Sequence, residues 1–212
     1  MEIRSTQTKR SDTALKIIVA ARDVFSEQGF AGATVDEIAR RAGVNKATLY
    51  YQIGDKETLY TAVIHEVLGA GADAIACDIE NRTSPEEKLK AYIRNIASVV
   101  DGNPWMPPIM LREMAAGGKT LPEAVLREMM RLFSILGGII DEGVRQDLFI
   151  AATPPLVHLM IMGAFVFSKT STPLRMKHEG FPEAWKKDGG MISGEIAQEV
   201  EKLILRALKK ES

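Results

Sequence analysis

The chain has 212 residues, one cysteine and a net charge of -1 at pH 7. A chain of this length can bury a substantial hydrophobic core, and a single cysteine, Cys77, excludes an internal disulfide and fits a reducing cytoplasm. We expect this thiol to be buried and inert. Residues 1–60 carry nine Lys or Arg and eight Asp or Glu. The near-zero charge excludes a protein that coats nucleic acid through a bulk positive field, so any DNA-binding surface must depend on where its charges are placed.

No segment of the sequence has the pattern of a signal peptide or a membrane span. The first twenty residues begin with charged and polar side chains and lack an apolar core followed by a cleavage site. The longest apolar run, PLVHLMIMGAFVF at residues 155–167, is shorter than the roughly 20 residues that cross a bilayer. We therefore expect no membrane partner and a cytoplasmic location.

Apolar residues recur along the chain at helical spacing, and no stretch shows the alternation of a β-strand. The sequence therefore predicts an all-α fold of about nine helices. Beyond residue 60 we predict helices that run through about Ile79, from Pro85 to about Val100, to Ala116, from Pro122 to about Gln146, from Pro154 to Lys169, and from Ser193 to Lys210. Residues 170–191 are polar and rich in Gly and Pro, so we expect a long loop with one helical turn at most.

Helix start and stop signals are densely spaced near the N-terminus. Thr34 and Glu37 have the spacing of a capping box, in which each side chain bonds the other residue's backbone N–H. The predicted caps are Ser11 or Asp12, Thr34, Asn45 and Asp55, and the predicted stops are Gly29 and Gly43. Three short helices are therefore expected within the first 55 residues.

Two of these short helices, separated by AGVN at residues 42–45, match a helix-turn-helix over about residues 34–53. In the second helix, Leu49 and Ile53 are apolar and four residues apart, so we expect them to face the core. The opposite face then carries Lys46, Ala47, Tyr50 and Tyr51. The simpler alternative is that the two tyrosines only pack against neighbouring helices.

The residue types on that outward face suit a DNA groove. Ala47 permits close approach and can touch a thymine methyl, Lys46 can donate to guanine, and hydroxyl groups can donate to phosphate oxygens. The backbone amides at the starts of the second and fourth helices, near Thr34 and Lys56, suit phosphates on either side. The pattern therefore predicts specific binding to double-stranded operator DNA.

The stretch TVDEIARRAGVNKATLYYQIGDKETL, residues 34–59, preceded by AARDVFSEQGF, resembles the DNA-binding domain of the TetR/AcrR family of bacterial transcriptional regulators. The resemblance covers about residues 12–60. It implies a helix-turn-helix domain at 1–60 and a larger helical domain at 61–212, which binds a small ligand and forms an Ω-shaped homodimer through its last two helices. One departure is Gln52-Ile53, where the family usually has His-Phe. Ile53 still supplies an apolar anchor.

The resemblance also implies roles for single residues of the DNA-binding surface. Thr34 and Lys56 would bind phosphate, whereas Asn45, Lys46 and Ala47 would approach bases, and Thr48, Tyr50 and Tyr51 would contact the backbone or base edges. Upstream, RSTQTKR at residues 4–10 is either a disordered arm that adds phosphate contacts through Arg4, Lys9 and Arg10 or a solvated tail.

Two predicted helices suit the dimer interface that the family has. The helix from Pro154 is apolar on nearly all sides, and the last helix carries one apolar stripe. The predicted interface residues are Leu159, Gly163, Phe167, Ile196, Val200, Leu203, Ile204 and Ala207. We expect these helices to form a four-helix interface with their copies, and packing within a single chain is the alternative.

Methionines and aromatic residues concentrate in the second half of the chain, where they suit a pocket for a bulky apolar or aromatic ligand. Ordinary core packing is the alternative for each of them. The candidate ligand-binding residues are Tyr92, Trp105, Met106, Met110, Met114, Met129, Phe133, His158, Met162 and Phe165.

Catalytic signals are weak in this sequence. The histidines, His65, His158 and His178, are far apart, and no phosphate loop, cofactor motif or Cys/His metal spacing occurs. We therefore expect no enzyme, cofactor or metal site. The resemblance implies a repressor released from its operator by a small-molecule effector, and the sequence leaves open an activator or a regulator controlled by a protein partner.

Overall fold

The computed structural model describes residues 11–183 and 194–210. Within these ranges ten α-helices are present, and the single β pairing is an isolated bridge between Phe149 and Lys209. The helices are α1 (Asp12–Gly32), α2 (Val35–Ala42), α3 (Lys46–Gln52), α4 (Lys56–Glu80), α5 (Pro85–Gly102), α6 (Met106–Ala115), α7 (Glu123–Arg145), α8 (Pro154–Thr170), α9 (Thr172–Lys177) and α10 (Gly194–Leu208). The prediction of an all-α fold is confirmed.

The helix that the sequence pattern did not predict is α9. It follows α8 after one residue and has proline in its first turn, where the missing N–H costs nothing. The rest of the expected loop, together with the predicted helix start at Ser193, lies partly outside the described residues. The N-terminal arm with Arg4, Lys9 and Arg10 lies outside them as well.

Side-chain caps set the starts of the first four helices. The side chains of Ser11, Thr34, Asn45 and Asp55 accept hydrogen bonds from the backbone N–H groups of Ala14, Glu37, Thr48 and Thr58. Each cap satisfies one of the amides that a helix start leaves without an intrahelical partner. Because the predicted caps are all used, the helix-turn-helix has the register that the sequence indicates.

The capping box at the start of α2 is only half formed, which corrects the prediction. The Thr34 hydroxyl accepts from the Glu37 N–H at 3.2 Å. The Glu37 carboxylate, however, accepts from Arg40 and Arg41 on the same helix. Two guanidinium groups attract this carboxylate more strongly than a single backbone amide does.

The predicted stop at Gly29 is a kink inside α1. Gly29 has a φ of 70°, in the left-handed region, and the chain then makes one more turn to Gly32. A side chain at Gly29 would also crowd Arg112 of α6. Glycine therefore both permits the kink and leaves room for α6 beside α1.

The central helix α4 belongs to both halves of the molecule. Near its start, the Tyr60 ring meets Phe25 of α1 edge-on, with the ring centroids 4.8 Å apart. Farther along, α4 packs against α5 and α7. The predicted domain boundary at residue 60 thus lies within one continuous helix, so a shift of α4 moves both halves.

Two surface properties complete the description. Cys77 is exposed on α4, so the expectation of a buried thiol is wrong; it lies two positions from Ile75, which takes the inward position on the helix. Among the helices in the described ranges, we find none that combines the length and the apolar character needed to cross a membrane.

Candidate DNA-binding surface and effector cavity

The helix-turn-helix presents one side of α3 to solvent. Leu49 is fully buried, and Ile53 packs against the same core. Tyr51 is 87% exposed and Tyr50 is 47% exposed, so neither ring is held in the core. Ala47 lies on the exposed side with them. This arrangement agrees with the face that the periodicity predicts, and it leaves the two phenol groups free to meet a ligand.

Lys46 is held by an acidic partner that the sequence analysis missed. Its Nζ lies 3.0 Å from the Asp36 carboxylate of α2, across the turn. This hydrogen bond raises the pKa of Lys46. Both side chains are half or more exposed, so the pair contributes little stability and can open at low cost. Lys46 must leave Asp36, or share it, in order to reach a base.

The candidate phosphate-binding side chains differ in their exposure and in the hydrogen bonds that they already make. Thr34 is exposed, although its hydroxyl caps α2. The Lys56 ammonium donates to the carbonyls of Phe30 at 2.8 Å and Ala33 at 3.0 Å, and it lies 4.3 Å from the centre of the Phe30 ring. Lys56 therefore ties the end of α1 to the start of α4, and its phosphate contact stays a prediction.

The start of α4 also carries a negative charge. The Asp55 carboxylate accepts from the Thr58 N–H at 2.8 Å, and this bond lowers the pKa of Asp55. A phosphate at this helix end would meet that carboxylate, whereas the cap of α2 is the neutral Thr34. The first turn of α2, however, also carries two acidic side chains, Asp36 and Glu37, so both phosphate contacts stay predictions. The remaining candidates, Asn45 and Thr48, are joined by the cap of α3.

A charged network fixes α2 against α1. Arg41 forms a two-pronged ion pair with Glu27 of α1, with N···O distances of 2.8 and 2.7 Å. Arg40 and Arg41 lower the pKa of Glu37 to about 2. The network therefore links α2 to α1, and no residue of α3 takes part in these ion pairs.

The second half of the molecule contains an apolar cavity of about 350 Å³ that lies between α4, α5, α6, α7 and α8 and is partly open to solvent. Seven predicted ligand-binding residues line it: Met106, Met110, Met114, Met129, Phe133, His158 and Met162. Its walls on α4 and α5 are made by Val67, Leu68, Gly71, Ala72, Ile75, Ile96, Val99 and Val100, which the sequence analysis missed. These aliphatic and small residues look like any helical core in the sequence, so no signal could have singled them out.

Three predicted ligand-binding residues do not line the cavity. Phe165 is fully buried in the surrounding core. Trp105 is partly buried and lies under the Arg22 guanidinium, 5.1 Å from its ring centre, at the contact of α6 with α1. Tyr92 is also fully buried, and its hydroxyl bonds His158. The prediction that these three side chains line the cavity does not agree with its observed lining; they lie in the core around it.

His158 is the polar side chain of the cavity wall and is held in place by Tyr92. The Tyr92 hydroxyl lies 2.6 Å from His158 Nδ1, and the Phe133 ring meets the imidazole edge-on at 5.1 Å. Burial lowers the pKa of His158 to about 4. The imidazole is therefore neutral at pH 7.

Comparison with known proteins agrees with the helix-turn-helix. The family description for bacterial regulatory proteins of the tetR family matches residues 17–63. The HTH-type transcriptional regulator RutR of Escherichia coli K12 is 30% identical over 146 residues, which cover 69% of this chain and 68% of RutR. The chain belongs to the TetR family. The fatty acid metabolism regulator protein of Bacillus subtilis is 27% identical over 131 residues, or 62% of this chain and 68% of that protein.

Solved structures show the same TetR-family fold. HlyIIR, a hemolysin II transcriptional regulator, has a TM-score of 0.68 at 22% identity, covering 94% of this chain and 98% of its own. FadR from Bacillus subtilis, solved in complex with stearoyl-CoA, has a TM-score of 0.69 at 23% identity, covering 91% of this chain and 98% of its own. At these identities the likeness concerns the fold.

In this TetR-family chain, α6 connects the cavity to the DNA-binding domain. Met110 and Met114 of α6 line the cavity. On the same helix, the Arg112 guanidinium donates to the backbone carbonyls of Ser26 and Glu27, near the end of α1. The next residue, Glu113, is buried and accepts from Tyr60 of α4 at 2.7 Å. A displacement of α6 would therefore act directly on α1 and α4.

The predicted dimer residues separate into two groups. On α10, Val200 and Ile204 are buried within this chain and Ile196 is partly buried against its core, so internal packing accounts for these three. Leu203 and Ala207 face solvent. On α8 an exposed apolar stripe is formed by Leu156, Leu159, Met160, Ala164 and Phe167, with Gly163 partly exposed beside it. The exposed apolar stripe is therefore on α8, and on α10 only Leu203 and Ala207 of the predicted interface residues are exposed.

Proposed function

We propose that this TetR-family chain is a homodimeric repressor that binds operator DNA through α3 and leaves it when an apolar small molecule occupies the cavity. The observation that carries the proposal is the position of α6. Its methionines line the cavity, and its Arg112 bonds the carbonyls of α1. A molecule that changes the packing of α6 would therefore change the position of the DNA-binding domain relative to the cavity.

The DNA-binding part of the proposal is supported by the exposed side of α3. Lys46, Ala47, Tyr50 and Tyr51 face solvent, while Leu49 anchors the helix from below. A helix of this kind enters the major groove, where a lysine reads guanine and phenol groups meet phosphates or base edges. The neutral Thr34 cap at the start of α2 suits a flanking phosphate.

The effector part is supported by the size and chemistry of the cavity. A volume of about 350 Å³ lies within the range of small-molecule sites. Apart from His158, every described side chain that lines it is apolar. FadR from Bacillus subtilis, which has the same fold, is bound to stearoyl-CoA, a molecule with a long acyl chain. We infer that the effector of this chain is also largely apolar.

The dimer part is supported by the stripe on α8. Phe167 is 64% exposed and Leu159 is 60% exposed, which places large apolar side chains in water over most of the length of the helix. Exposed apolar patches of this extent mark contact surfaces. Leu203 and Ala207 of α10 are exposed as well. A second copy of the chain would cover both helices through a two-fold contact.

The proposed switch is a shift between two spacings of the DNA-binding domains. A dimer that binds two successive major grooves needs its recognition helices about 34–36 Å apart along the duplex. An effector that binds more tightly to a dimer with another spacing would lower the fraction of dimers that can bind the operator. The size of this shift is set by the difference between the effector's affinities for the two spacings.

A direct test begins with selection of an operator from a random duplex library. Operator affinity is then measured by fluorescence anisotropy with and without decan-2-one and 2-methyldec-1-ene, two apolar probes of nearly equal shape. Spin labels at Asp23→Cys, in a Cys77→Ser background, report the separation of the DNA-binding domains; both positions are exposed. We expect weaker operator binding together with a changed separation. If a probe fills the cavity and operator affinity does not change, the chain is instead a regulator controlled by another partner.

A further inference from the structure

One polar side chain interrupts the otherwise apolar wall of the cavity. Of the described residues that line it, only His158 carries a nitrogen or oxygen in its side chain. His158 is 7% exposed, so its imidazole meets the cavity and the protein and has almost no contact with bulk solvent. Which of its two ring nitrogens carries the proton decides what kind of ligand group it can bind.

The contact with Tyr92 determines the tautomer. The Tyr92 hydroxyl lies 2.6 Å from His158 Nδ1 and 3.4 Å from the carbonyl oxygen of Leu132. The first distance is that of a strong hydrogen bond, and the second is longer than a normal O–H···O bond. Leu132 lies inside α7, where a carbonyl already accepts from the backbone N–H four residues on. The phenol therefore donates to Nδ1, and the proton of the neutral imidazole is on Nε2.

The Nε2–H group is left for a ligand. Among the described residues no group bonds Nε2, whereas Nδ1 is bonded to Tyr92. A ligand that places an acceptor against this N–H gains a hydrogen bond in the apolar cavity, whereas a ligand without an acceptor leaves the donor unpaired. No cationic side chain lines the cavity in the described part of the chain, so a negatively charged acceptor would be buried without a counter-charge.

We infer that the cavity selects an uncharged apolar molecule with one hydrogen-bond acceptor, such as a ketone or ester oxygen, placed against Nε2–H of His158. The inference rests on the proposed effector role of the cavity and adds the ligand class. Tyr92 is a positioning residue in this arrangement, because it acts on the ligand only through the imidazole. A ligand without an acceptor would fill the same space and leave the donor without a partner.

The test compares two probes that differ only in the acceptor. Decan-2-one carries a carbonyl oxygen where 2-methyldec-1-ene carries a methylene group. Binding is followed through the NMR signals of ¹³C-labelled methionine methyl groups, five of which line the cavity. The measured quantity is the dissociation constant of decan-2-one divided by that of 2-methyldec-1-ene. We expect this ratio to be about tenfold higher in His158→Phe than in the wild-type protein. Ile75→Val, a change in the α4 wall of the cavity, should alter both affinities alike and leave the ratio unchanged.

A second measurement needs no substitution. The ¹⁵N spectrum of labelled histidine in the wild-type protein separates the protonated from the unprotonated ring nitrogen, and we expect Nε2 to be the protonated one in His158. Protonation at Nδ1 would overturn the inference even if His158→Phe did not fold. Tighter binding of decanoate than of decan-2-one would also overturn it, because that would require a cationic site.

The outcomes separate the inference from the proposed function. If neither probe shifts the methionine signals, the apolar effector site itself is wrong and the inference falls with it. If both probes bind and their ratio is the same in the wild-type protein and in His158→Phe, the effector site stands, and only the acceptor contact is wrong.

Discussion

The guanidinium of Arg112, on α6, donates a 3.0 Å hydrogen bond to the carbonyl oxygen of Glu27, near the end of α1. It also donates to the carbonyl of Ser26. The kink at Gly29 interrupts the helical backbone just after these two carbonyls, and a charged donor is favourable where helix carbonyls lose their partners. The two bonds join the wall of the cavity to the DNA-binding domain without any side chain of the recognition helix.

We predict that Arg112→Met uncouples the effector from DNA. The methionine keeps much of the side-chain volume, but it cannot donate to the two α1 carbonyls. Operator affinity without a probe should change little, because Arg112 does not face the surface of α3, while the loss of affinity caused by decan-2-one should shrink severalfold. Anisotropy titrations with and without the probe measure both quantities.

Arg127→Ala is the matched control for that substitution. Arg127 is an exposed arginine on α7 whose ion pair is to Glu123 of the same helix. It should leave the response to the probe unchanged. An Arg112→Met protein that responds to decan-2-one like the wild type would contradict the proposed role of the α6 contact.

We predict that Lys56→Ala lowers the free energy of unfolding by about 1–3 kcal/mol, because two backbone carbonyls lose a charged, partly buried donor. Urea unfolding measures this change. Lys202→Ala is the control, since Lys202 is exposed and has only a 3.7 Å pair with Glu199. The salt dependence of operator binding separates the two roles of Lys56: a slope reduced by about one indicates a phosphate contact, and an unchanged slope indicates a purely structural lysine.

We predict that Lys46→Ala changes operator preference more than overall affinity. Loss of a lysine contact to guanine should cost about 1–3 kcal/mol at one base pair and little elsewhere. Binding to a set of operators with single base-pair changes measures the effect. Asp36→Asn is a useful companion, because it frees Lys46 from its 3.0 Å ion pair and should strengthen binding to the preferred operator. A uniform loss across all operators would show that Lys46 contacts phosphate.

Local sequence signals were sufficient for the helix-turn-helix. The caps at Thr34, Asn45 and Asp55 act on residues three positions away, so their spacing in the sequence fixes the geometry. The burial of Leu49 and the exposure of Tyr51 follow from helical periodicity alone. These features depend only on interactions between residues close in sequence, so the sequence is sufficient to predict them.

Pairings between distant residues could not be predicted. Lys56 reaches carbonyls 26 and 23 residues upstream, and Tyr92 bonds His158 across 66 residues. Both contacts depend on how whole helices pack, and their residue types occur equally well elsewhere. The same holds for the cavity. The methionines of α6 could be predicted as lining residues from their residue type, whereas the aliphatic residues of α4 and α5 could not.

We predict an acid-dependent loss of stability caused by His158. The pKa of this imidazole is lowered from 6.5 to about 4 by burial in the folded protein. Between these pH values the unfolded chain binds a proton that the folded chain does not, so stability falls as the pH is lowered from 6.5 to 4 and levels off below that. The full effect is about 3 kcal/mol. Urea unfolding of the wild-type protein and of His158→Phe is measured across this pH range. The difference between their unfolding free energies isolates the contribution of His158, because all other groups titrate in both proteins. A constant difference would show that His158 does not titrate in this way.

We predict that Leu156→Glu converts the proposed dimer into a monomer. Leu156 is 58% exposed on the α8 stripe and does not line the cavity, so the substitution leaves the effector site intact while placing two like charges in a two-fold interface. Light scattering after size-exclusion chromatography measures the mass on dilution. Val19→Glu is the control, because Val19 is a comparably exposed apolar residue on α1, away from the stripe, and should leave the mass unchanged. Operator affinity should fall when the dimer is lost, since a monomer engages a single half-site. A Leu156→Glu protein that keeps the dimer mass at micromolar concentration would move the interface off α8.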